Sequence, residues 1–200
     1  MKKKITFGEV SFLASAFAPE SFLHLKNEKG ALLPQIAIVG RSNVGKSSLI
    51  NHLLKKKLAK TSQTPGKTES VNFYKADHLL LVDLPGYGYA SRSQAIRKKW
   101  SHLIDSYLKG SPALRLILLL IDSRRTFSQE DLALMEWADF HKIPFLLIFT
   151  KIDKLNQSEK KKLELSVASL SIRPLRIIPY SIKEETGRMI LFQTMHQLTQ

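Results

Sequence analysis

Short runs of apolar residues alternate with segments of helical periodicity from residue 34 onward. The runs at residues 35–39, 79–82, 114–121, 145–149 and 175–179 are apolar at consecutive positions, which is typical of strands that are buried on both faces. Another run, at residues 71–75, is separated from residues 79–82 by only three residues, so we expect a hairpin and one antiparallel strand. The pattern predicts an α/β fold in which a mostly parallel central sheet has helices on both faces.

Five helical segments lie between and after these strands. One begins near Gly45, another follows Ser128, and the others cover about residues 91–109, 158–170 and 184–198. Ser128 is a candidate cap because Asp131 lies three residues later. No repeat or Pro/Gly-rich linker divides the chain, so we expect one domain at residues 34–200. Residues 1–33 form an N-terminal extension, in which a strand and a short helix after Pro19 are the candidate elements.

Composition excludes several kinds of chemistry. The 200 residues contain no cysteine, which excludes disulfides, thiolate zinc sites and a cysteine nucleophile. There are 31 Lys and Arg against 17 Asp and Glu, a formal net charge of +14. Residues 1–100 hold 17 basic and 6 acidic side chains, whereas residues 101–200 hold 14 and 11. This asymmetry indicates either a polyanionic partner or a basic coat that favours solubility.

Membrane insertion and export are both disfavoured. The longest apolar runs, residues 116–121 and 144–149, are far shorter than the roughly 18 residues that a spanning helix needs. Lys2, Lys3 and Lys4 precede a small apolar stretch that resembles a signal peptide, but Glu9 interrupts the pattern. We therefore expect a cytoplasmic protein.

A glycine-rich segment follows the first apolar run. Residues 40–47 read GRSNVGKS and match G-x-x-x-x-G-K-S at every fixed position. Gly40 and Gly45 permit a turn in which successive backbone N–H groups point at a phosphate, at the start of a helix. Lys46 brings a positive charge to the β- and γ-phosphates, and Ser47 offers a hydroxyl to Mg²⁺. The segment predicts a loop that binds a nucleoside triphosphate or diphosphate.

A second motif, Asp83-Leu84-Pro85-Gly86, follows the run at residues 79–82. An aspartate at the end of a strand beside the phosphate loop can hold Mg²⁺, usually through water. The N–H group of Gly86 can meet the γ-phosphate. Because Pro-Gly is a common turn, the interpretation depends on the position of Asp83, 36 residues after Ser47.

The strand predicted to end at Phe149 leads into Thr150-Lys151-Ile152-Asp153. The carboxylate of Asp153 can accept hydrogen bonds from both N1–H and N2–H₂ of guanine, whereas adenine has no such pair of donors. The stem of Lys151 can lie against the ring face. The motif therefore predicts guanine as the base, and Tyr180, Ser181 and Ile182 are candidates to brace it through backbone N–H groups.

A polar loop at residues 61–68 lies between the first two motifs. If it closes over the γ-phosphate, a threonine hydroxyl would complete the Mg²⁺ shell, and Thr64 and Thr68 are the candidates. A loop that the γ-phosphate orders and hydrolysis releases is a switch.

These motifs resemble those of the EngB (YihA/YsxC) family of bacterial GTPases, in the TrmE-Era-EngA-EngB-Septin-like superfamily. The matching segments are GRSNVGKSSLIN at 40–51, TPGKT at 64–68, NFY at 72–74, DLPGYGYA at 83–90 and TKID at 150–153. The resemblance implies a P-loop GTPase fold, binding of GTP and Mg²⁺, a role in assembly of the large ribosomal subunit, and a requirement for normal division septation. It also implies that Ser47 and Thr68 are the Mg²⁺ ligands. Ile182 departs from the small residue that is usual in the family.

Taken together, the motifs and the resemblance give a set of expected nucleotide contacts, with Lys46 also the candidate catalytic residue. The set comprises Gly40, Arg41, Ser42, Asn43, Val44, Gly45, Lys46, Ser47, Gly66, Lys67, Thr68, Glu69, Ser70, Asp83, Leu84, Pro85, Gly86, Thr150, Lys151, Ile152, Asp153, Tyr180, Ser181 and Ile182.

Tyr87 occupies the position where Ras-like enzymes place a glutamine that orients the attacking water. Because tyrosine cannot supply a carboxamide, we predict slow hydrolysis of GTP that a partner, or a K⁺ ion near Asn43, accelerates. For the Asn43 side chain itself, a hydrogen bond to the nearby loop backbone is the favoured interpretation over a contact with a cation. Tyr87 and Tyr89 are candidates for stacking on exposed bases, but local packing is the favoured interpretation.

Two basic clusters flank the expected switch segments and suggest contact with ribosomal RNA. They are Lys55, Lys56, Lys57 and Lys60, and Arg92, Arg97, Lys98 and Lys99. The lysines at 160–162 instead indicate a solvated helix face. We expect a monomer that binds the large ribosomal subunit or its precursor. The alternatives are a nucleotide switch in septation that does not bind ribosomes, and a P-loop ATPase or nucleotide kinase, which would not need Asp153.

Overall fold

A seven-stranded sheet organises the protein. The computed structural model describes residues 6–60, 70–88 and 94–199, with the backbone alone for residues 94–101. The strands are β1 (Val10–Ala16), β2 (Gln35–Gly40), β3 (Val71–Ala76), β4 (Leu79–Asp83), β5 (Leu114–Asp122), β6 (Phe145–Thr150) and β7 (Arg176–Tyr180). Their order across the sheet is β1-β3-β4-β2-β5-β6-β7.

Of these seven strands, only β3 runs opposite to the common direction of the other six. It pairs antiparallel with both β1 and β4, whereas the pairs β4–β2, β2–β5, β5–β6 and β6–β7 are parallel. Asp77 and His78 connect β3 to β4, and Asp77 adopts a left-handed conformation with φ 51°. The predicted hairpin and its single antiparallel strand are therefore confirmed.

Helices cover both faces of the sheet because its central strands are apolar at consecutive positions. Ile36 and Ile38 face a core formed with α1 and α5, whereas Ala37 and Val39 face a core formed with α2, α3 and α4. The helices are α1 (Lys46–Leu54), α2 (Gln94–Gly110), α3 (Gln129–Phe140), α4 (Gln157–Ala168) and α5 (Glu185–Thr199). In the described residues, none of the helices combines the length and the apolar character needed to cross a membrane.

Local signals explain where the helices begin. Ser128 caps α3, since its hydroxyl accepts from Asp131 N and the Asp131 carboxylate accepts from Ser128 N. Asn156 and Glu159 form the same arrangement at α4, which therefore begins one residue earlier than predicted. Residues 91–93, the predicted start of the second helix, lie outside the described part.

The N-terminal segment contains the strand and the short helix expected there. Strand β1 bonds to the free side of β3, and residues Pro19–Ser21 form one turn of 3₁₀ helix. The carboxylate of Asp77 accepts hydrogen bonds from Gly8 N and Glu9 N, at 2.9 and 2.7 Å, which fixes the entry into β1. The buried side chain of Gln35 donates to Leu23 O and ties the segment to β2. The boundary at residues 33 and 34 stays a prediction.

One prediction of burial is wrong. Residues 175–179 were expected to form a strand buried on both faces, but β7 lies at the edge of the sheet, with Leu175 55% and Ile177 39% exposed. An open groove of about 460 Å³ lies between Ile177 and the α4 residues Leu163 and Val167. Its apolar side chains therefore remain partly uncovered.

Candidate functional site

The glycine-rich segment at residues 40–47 joins the end of β2 to the start of α1, as predicted. Gly40 is required there, because a Cβ atom would lie 2.6 Å from the carbonyl oxygen of Leu120 on β5. Asn43, at the outer end of the loop, has a left-handed backbone with φ 61°. The loop therefore places backbone N–H groups before the first turn of a helix, where an anion binds most favourably.

Lys46 and Asp83 bring opposite charges to the floor of this loop. The side chain of Lys46 is buried and its ammonium lies 3.4 Å from Gly40 O. Burial lowers the pKa of Lys46, while the nearby Asp83 carboxylate opposes that effect. Burial likewise raises the pKa of Asp83 to about 6, although Lys46 acts in the other direction. Both groups are therefore desolvated and ready to interact with a charged ligand.

The surroundings of Asp83 fit a divalent cation. Its Oδ1 atom is buried and has no hydrogen-bond partner among the described residues. Asp83 and Ser47 line the same cavity of about 410 Å³, together with Ser70 and Asn72. A buried carboxylate oxygen without a partner, beside a serine hydroxyl, is a donor set that Mg²⁺ accepts directly or through water.

The predicted switch loop, residues 61–68, lies entirely outside the described residues. Gly66, Lys67, Thr68 and Glu69 all lie outside the described part of the chain. Ser70, the next predicted contact, is buried and donates to Asn72 Oδ1 at 3.1 Å. The assignment of Thr68 as a Mg²⁺ ligand therefore stays a prediction.

Residues 84–86 pass directly over the phosphate loop. Leu84 is buried in the core, and Gly86 lies so close that a Cβ atom would be 3.0 Å from the backbone of Ser42 and 2.9 Å from Lys46 Nζ. The backbone carbonyl oxygen of the next residue, Tyr87, accepts a hydrogen bond from Ser42 N at 2.9 Å. The chain that leaves the Asp-Leu-Pro-Gly segment is therefore joined to the phosphate loop through its backbone.

The Tyr87 side chain packs within the protein, which was the interpretation favoured over stacking on exposed bases. Its hydroxyl donates to Asp131 Oδ1 at 2.5 Å, and this contact links the segment after Gly86 to the first turn of α3. Burial and the Asp131 carboxylate raise the pKa of Tyr87 well above its ordinary value. Tyr89 lies outside the described residues.

Two side chains of the motif at residues 150–153 form hydrogen bonds to the phosphate loop. The Thr150 hydroxyl donates to Val44 O at 2.7 Å, and Lys151 Nζ donates to Asn43 O at 2.8 Å. Lys151 itself has a left-handed backbone with φ 60°. The third and first predicted motifs thus form one unit at the carboxyl edge of the parallel strands.

Asp153 is held from the opposite side by the segment after β7. Ser181 Oγ donates to Asp153 Oδ1 at 3.0 Å, and Lys183 Nζ lies 3.1 Å from Asp153 Oδ2. Desolvation acts to raise the pKa of Asp153, but the hydrogen bonds from Lys183 and Ser181 outweigh it and hold that pKa below its usual range. The carboxylate is therefore charged and oriented.

Tyr180 and Ile182, on either side of Ser181, have different surroundings. Tyr180 is buried, and its hydroxyl shares a hydrogen bond of 2.9 Å with His52 Nδ1 of α1. Ile182 is 56% exposed. Contact between the backbone of residues 180–182 and a base stays a prediction.

Sequence reasoning did not identify Asp122 and Lys183, which both contact predicted site residues. Asp122, at the end of β5, lies 2.8 Å from Lys151 Nζ. A lone aspartate after a strand and a lone lysine before a helix carry no local pattern. The only available signal was that Asp122 ends a strand next to the strand of the phosphate loop, at the edge where the motifs converge.

Two lysines of the first basic cluster have partners within the protein. Lys55 forms an ion pair with Glu185 at the start of α5, and Lys56 Nζ lies 3.3 Å from Val10 O. Lys57 and Lys60 are exposed. Arg92 and the side chains of Arg97, Lys98 and Lys99 lie outside the described part, so the second cluster stays a prediction.

Comparison with known families identifies the class of protein. A family described as 50S ribosome-binding GTPase matches residues 35–151. The probable GTP-binding protein EngB of Protochlamydia amoebophila is 41% identical over 199 residues, which cover 96% of this chain and 95% of that protein. The corresponding protein of Caldanaerobacter subterraneus is 45% identical over 179 residues, with 88% and 89% covered.

Solved structures share the fold. A crystal structure of a probable GTP-binding protein engB matches with a TM-score of 0.65 at 19% identity, covering 82% of this chain and 98% of that one. Era in complex with MgGDPNP and a fragment of 16S ribosomal RNA matches with a TM-score of 0.69 at 22% identity, covering 84% and 57%. The architecture is therefore that of P-loop GTPases. The protein is a GTPase that belongs to the 50S ribosome-binding GTPase family and, within it, to the EngB family of GTP-binding proteins.

Proposed function

We propose that this protein binds GTP and GDP with Mg²⁺ at the carboxyl edge of its sheet, hydrolyses GTP slowly, and acts as a monomeric cytoplasmic switch in assembly of the large ribosomal subunit. A requirement for normal division septation is part of the proposal. The observation that carries the nucleotide assignment is the Asp153 carboxylate, oriented by Ser181 and Lys183 on a segment that Lys151 joins to the phosphate loop.

Different segments of the protein are proposed to contact different parts of the nucleotide. The phosphates lie against the backbone of residues 40–47, and Asp153 accepts from guanine with support from residues 150–152 and 180–182. Residues 66–70 and 83–86 approach the γ-phosphate side. Ser47 and Thr68 would hold Mg²⁺, and Asp83 would act on it through water. When bound, Mg²⁺ supplies positive charge that stabilises the phosphate oxygens.

Slow hydrolysis of GTP is expected because the residue after Gly86 is Tyr87. The Tyr87 hydroxyl is occupied by Asp131, and tyrosine lacks the carboxamide that orients water in Ras-like enzymes. Catalysis then depends on positioning and on neutralisation of charge by Lys46 and the loop N–H groups. We also propose that K⁺ near Asn43 assists. Replacement of Asn43 by alanine is then expected to abolish the dependence of turnover on potassium, measured against sodium at equal ionic strength, and an unchanged dependence would reject this part.

The ribosomal assignment is supported by the family and by charge. The matched family is described as ribosome-binding, and the related Era protein was crystallised with ribosomal RNA. Exposed Lys57 and Lys60 follow α1 and lead into the predicted switch loop, where bound RNA would sense the nucleotide state.

Sedimentation with purified large ribosomal subunits tests the ribosomal assignment. We expect the protein to sediment with subunits in a non-hydrolysable GTP analogue and much less in GDP, with an effect that weakens as salt rises. The Asp153→Asn variant is the matched control, since it should bind GTP roughly a hundredfold more weakly and prefer xanthosine nucleotides. It should therefore sediment with subunits only in the corresponding xanthosine analogue.

The outcomes separate the alternatives. Tight GTP binding without sedimentation in any nucleotide favours a septation switch that does not bind ribosomes. Unchanged GTP affinity of Asp153→Asn would show that the base is recognised elsewhere. A preference for ADP over GDP in a binding titration would favour the ATPase class.

A further inference from the structure

Asp122 is a nearly buried carboxylate that ends β5, and it has two basic partners. Its side chain is 7% exposed. The Arg124 guanidinium bonds to it through two nitrogens, with Nε 2.9 Å from Oδ1 and Nη2 2.8 Å from Oδ2. Lys151 Nζ donates to Oδ2 at 2.8 Å. The carboxylate thus stands between a surface arginine and a lysine of the guanine motif.

The Lys151 ammonium bridges Asp122 and the phosphate loop. It donates to Asp122 and also to Asn43 O, each at 2.8 Å. Lys151 and Asn43 both have left-handed backbones, a conformation that is unfavourable for lysine and that asparagine tolerates better. The contacts of the ammonium therefore join two turns of unusual backbone conformation, one in the guanine motif and one in the phosphate loop.

We propose that Asp122 is a positioning residue for nucleotide binding: it fixes the Lys151 ammonium, and through it the backbone of the phosphate loop at Asn43. The inference rests on the proposed placement of the guanine nucleotide against Lys151. In this proposal Asp122 acts through the Lys151 side chain and does not itself touch the nucleotide.

The two partners of Asp122 differ in their surroundings. Arg124 is 48% exposed and its guanidinium bonds to Asp122, so its removal leaves both hydrogen bonds of the Lys151 ammonium in place. Lys151 is 32% exposed and also bonds to a backbone carbonyl. Desolvation acts to raise the pKa of Asp122, but hydrogen bonds from Arg124 and Lys151 hold it well below the usual range. The carboxylate is thus charged throughout the physiological pH range.

The experiment compares Asp122→Asn with Arg124→Gln, which removes only the outer partner, and with Asp139→Asn, which removes an exposed carboxylate of α3. Affinities for GDP and for a non-hydrolysable GTP analogue are measured by titration, and turnover is followed for GTP. For Asp122→Asn we expect about tenfold weaker binding of both nucleotides and a similar rise in KM, with kcat within about twofold. Both control variants should bind within about twofold of the wild type.

A double-mutant cycle with Lys151→Ala identifies the route of the effect. If Asp122 acts through Lys151, Asp122→Asn should weaken binding in the wild type but add little to Lys151→Ala. Equal losses in Asp122→Asn and Arg124→Gln, or additive losses in the cycle, would overturn the inference. Asp122→Glu keeps the charge but displaces it by one methylene, so it should lose affinity while unfolding at the wild-type temperature. If Asp122→Asn does not fold, Asp122→Glu serves as the test in its place. Nucleotide affinity of Asp122→Glu equal to that of the wild type would then overturn the inference.

The same measurements distinguish failure of this inference from failure of the proposed function. If Lys151→Ala binds GDP as tightly as the wild type, the proposed nucleotide site is wrong. If Lys151→Ala weakens binding and Asp122→Asn does not, the site stands and only the positioning role of Asp122 is rejected.

Discussion

Replacement of Asp83 by asparagine should stabilise the nucleotide-free protein while it weakens Mg²⁺-dependent binding. Burial raises the pKa of Asp83 from 3.8 to about 6, and Lys46 only partly offsets this effect. Between these two pH values the unfolded chain releases the proton and the folded chain retains it. Stability is therefore greatest below pH 3.8 with respect to this group, and it falls as pH rises through 6.

The magnitude follows from the size of the shift. Each pKa unit corresponds to about 1.36 kcal/mol, so a charged Asp83 costs the folded state about 3 kcal/mol above pH 7. Asparagine has nearly the same shape without the charge. Asp83→Asn should therefore raise the free energy of unfolding by about 3 kcal/mol at pH 7.5, which for a domain of this size raises Tm by about 6–12 °C.

Thermal unfolding in EDTA, without nucleotide, measures this effect at pH 7.5 and at pH 5. The difference between Asp83→Asn and the wild type should be about 3 kcal/mol at pH 7.5 and about half of that at pH 5, where the unfolded carboxyl is already ionised but the folded one is mostly protonated. Asp105→Asn, which removes an exposed carboxylate of α2, should show neither effect. A variant that is no more stable than the wild type at pH 7.5, or a difference that does not change with pH, would refute the reasoning. In Mg²⁺ and GDP the order should reverse, because only the wild type gains the metal-dependent binding energy.

Two further substitutions probe other parts of the site and the core. Gly86→Ala should weaken binding of a GTP analogue tenfold or more and of GDP much less. The new Cβ atom would lie 3.0 Å from the Ser42 backbone, so residue 86 would have to move and its N–H would lose the proposed contact with the γ-phosphate. Equal losses for the two nucleotides, measured by titration, would contradict this. Tyr107→Phe removes the hydroxyl that donates to the buried Gln35 Oε1 at 2.7 Å, so it should lower the free energy of unfolding by about 1–2 kcal/mol in denaturant titrations. GDP affinity should not change in this variant, since the contact lies at the opposite end of β2, and a changed affinity would contradict the assignment.

The central strands could be predicted from sequence because each is apolar on both faces. Ile36 and Ile38 supply one core and Ala37 and Val39 the other, so a continuous run was the expected pattern. The same pattern failed at β7, because sequence does not indicate which strand lies at the edge of a sheet. Burial of Ile177 depends on how closely α4 approaches, which is decided by packing between distant segments.

The site could be predicted as far as its motifs have fixed spacing. The phosphate loop, Asp83 and Asp153 were each identified from residue types that a phosphate, a cation or a guanine requires. The contacts that hold them together could not be predicted, since Asp122, Lys183 and the hydroxyl of Tyr87 reach their partners across the fold. Such contacts depend on the register of neighbouring strands and leave no local pattern.

Strand β1 has a practical consequence for work with shortened versions of the protein. The family match begins at residue 35, which suggests a minimal GTPase core without the N-terminal segment. Removal of that segment would expose the full outer edge of β3, with its unpaired N–H and C=O groups, and would take away the partner of Phe73 and Tyr74. Exposed strand edges recruit other chains, so a trimmed protein of this kind should aggregate even though every nucleotide motif is intact. Affinity tags are better attached after α5 than in place of β1.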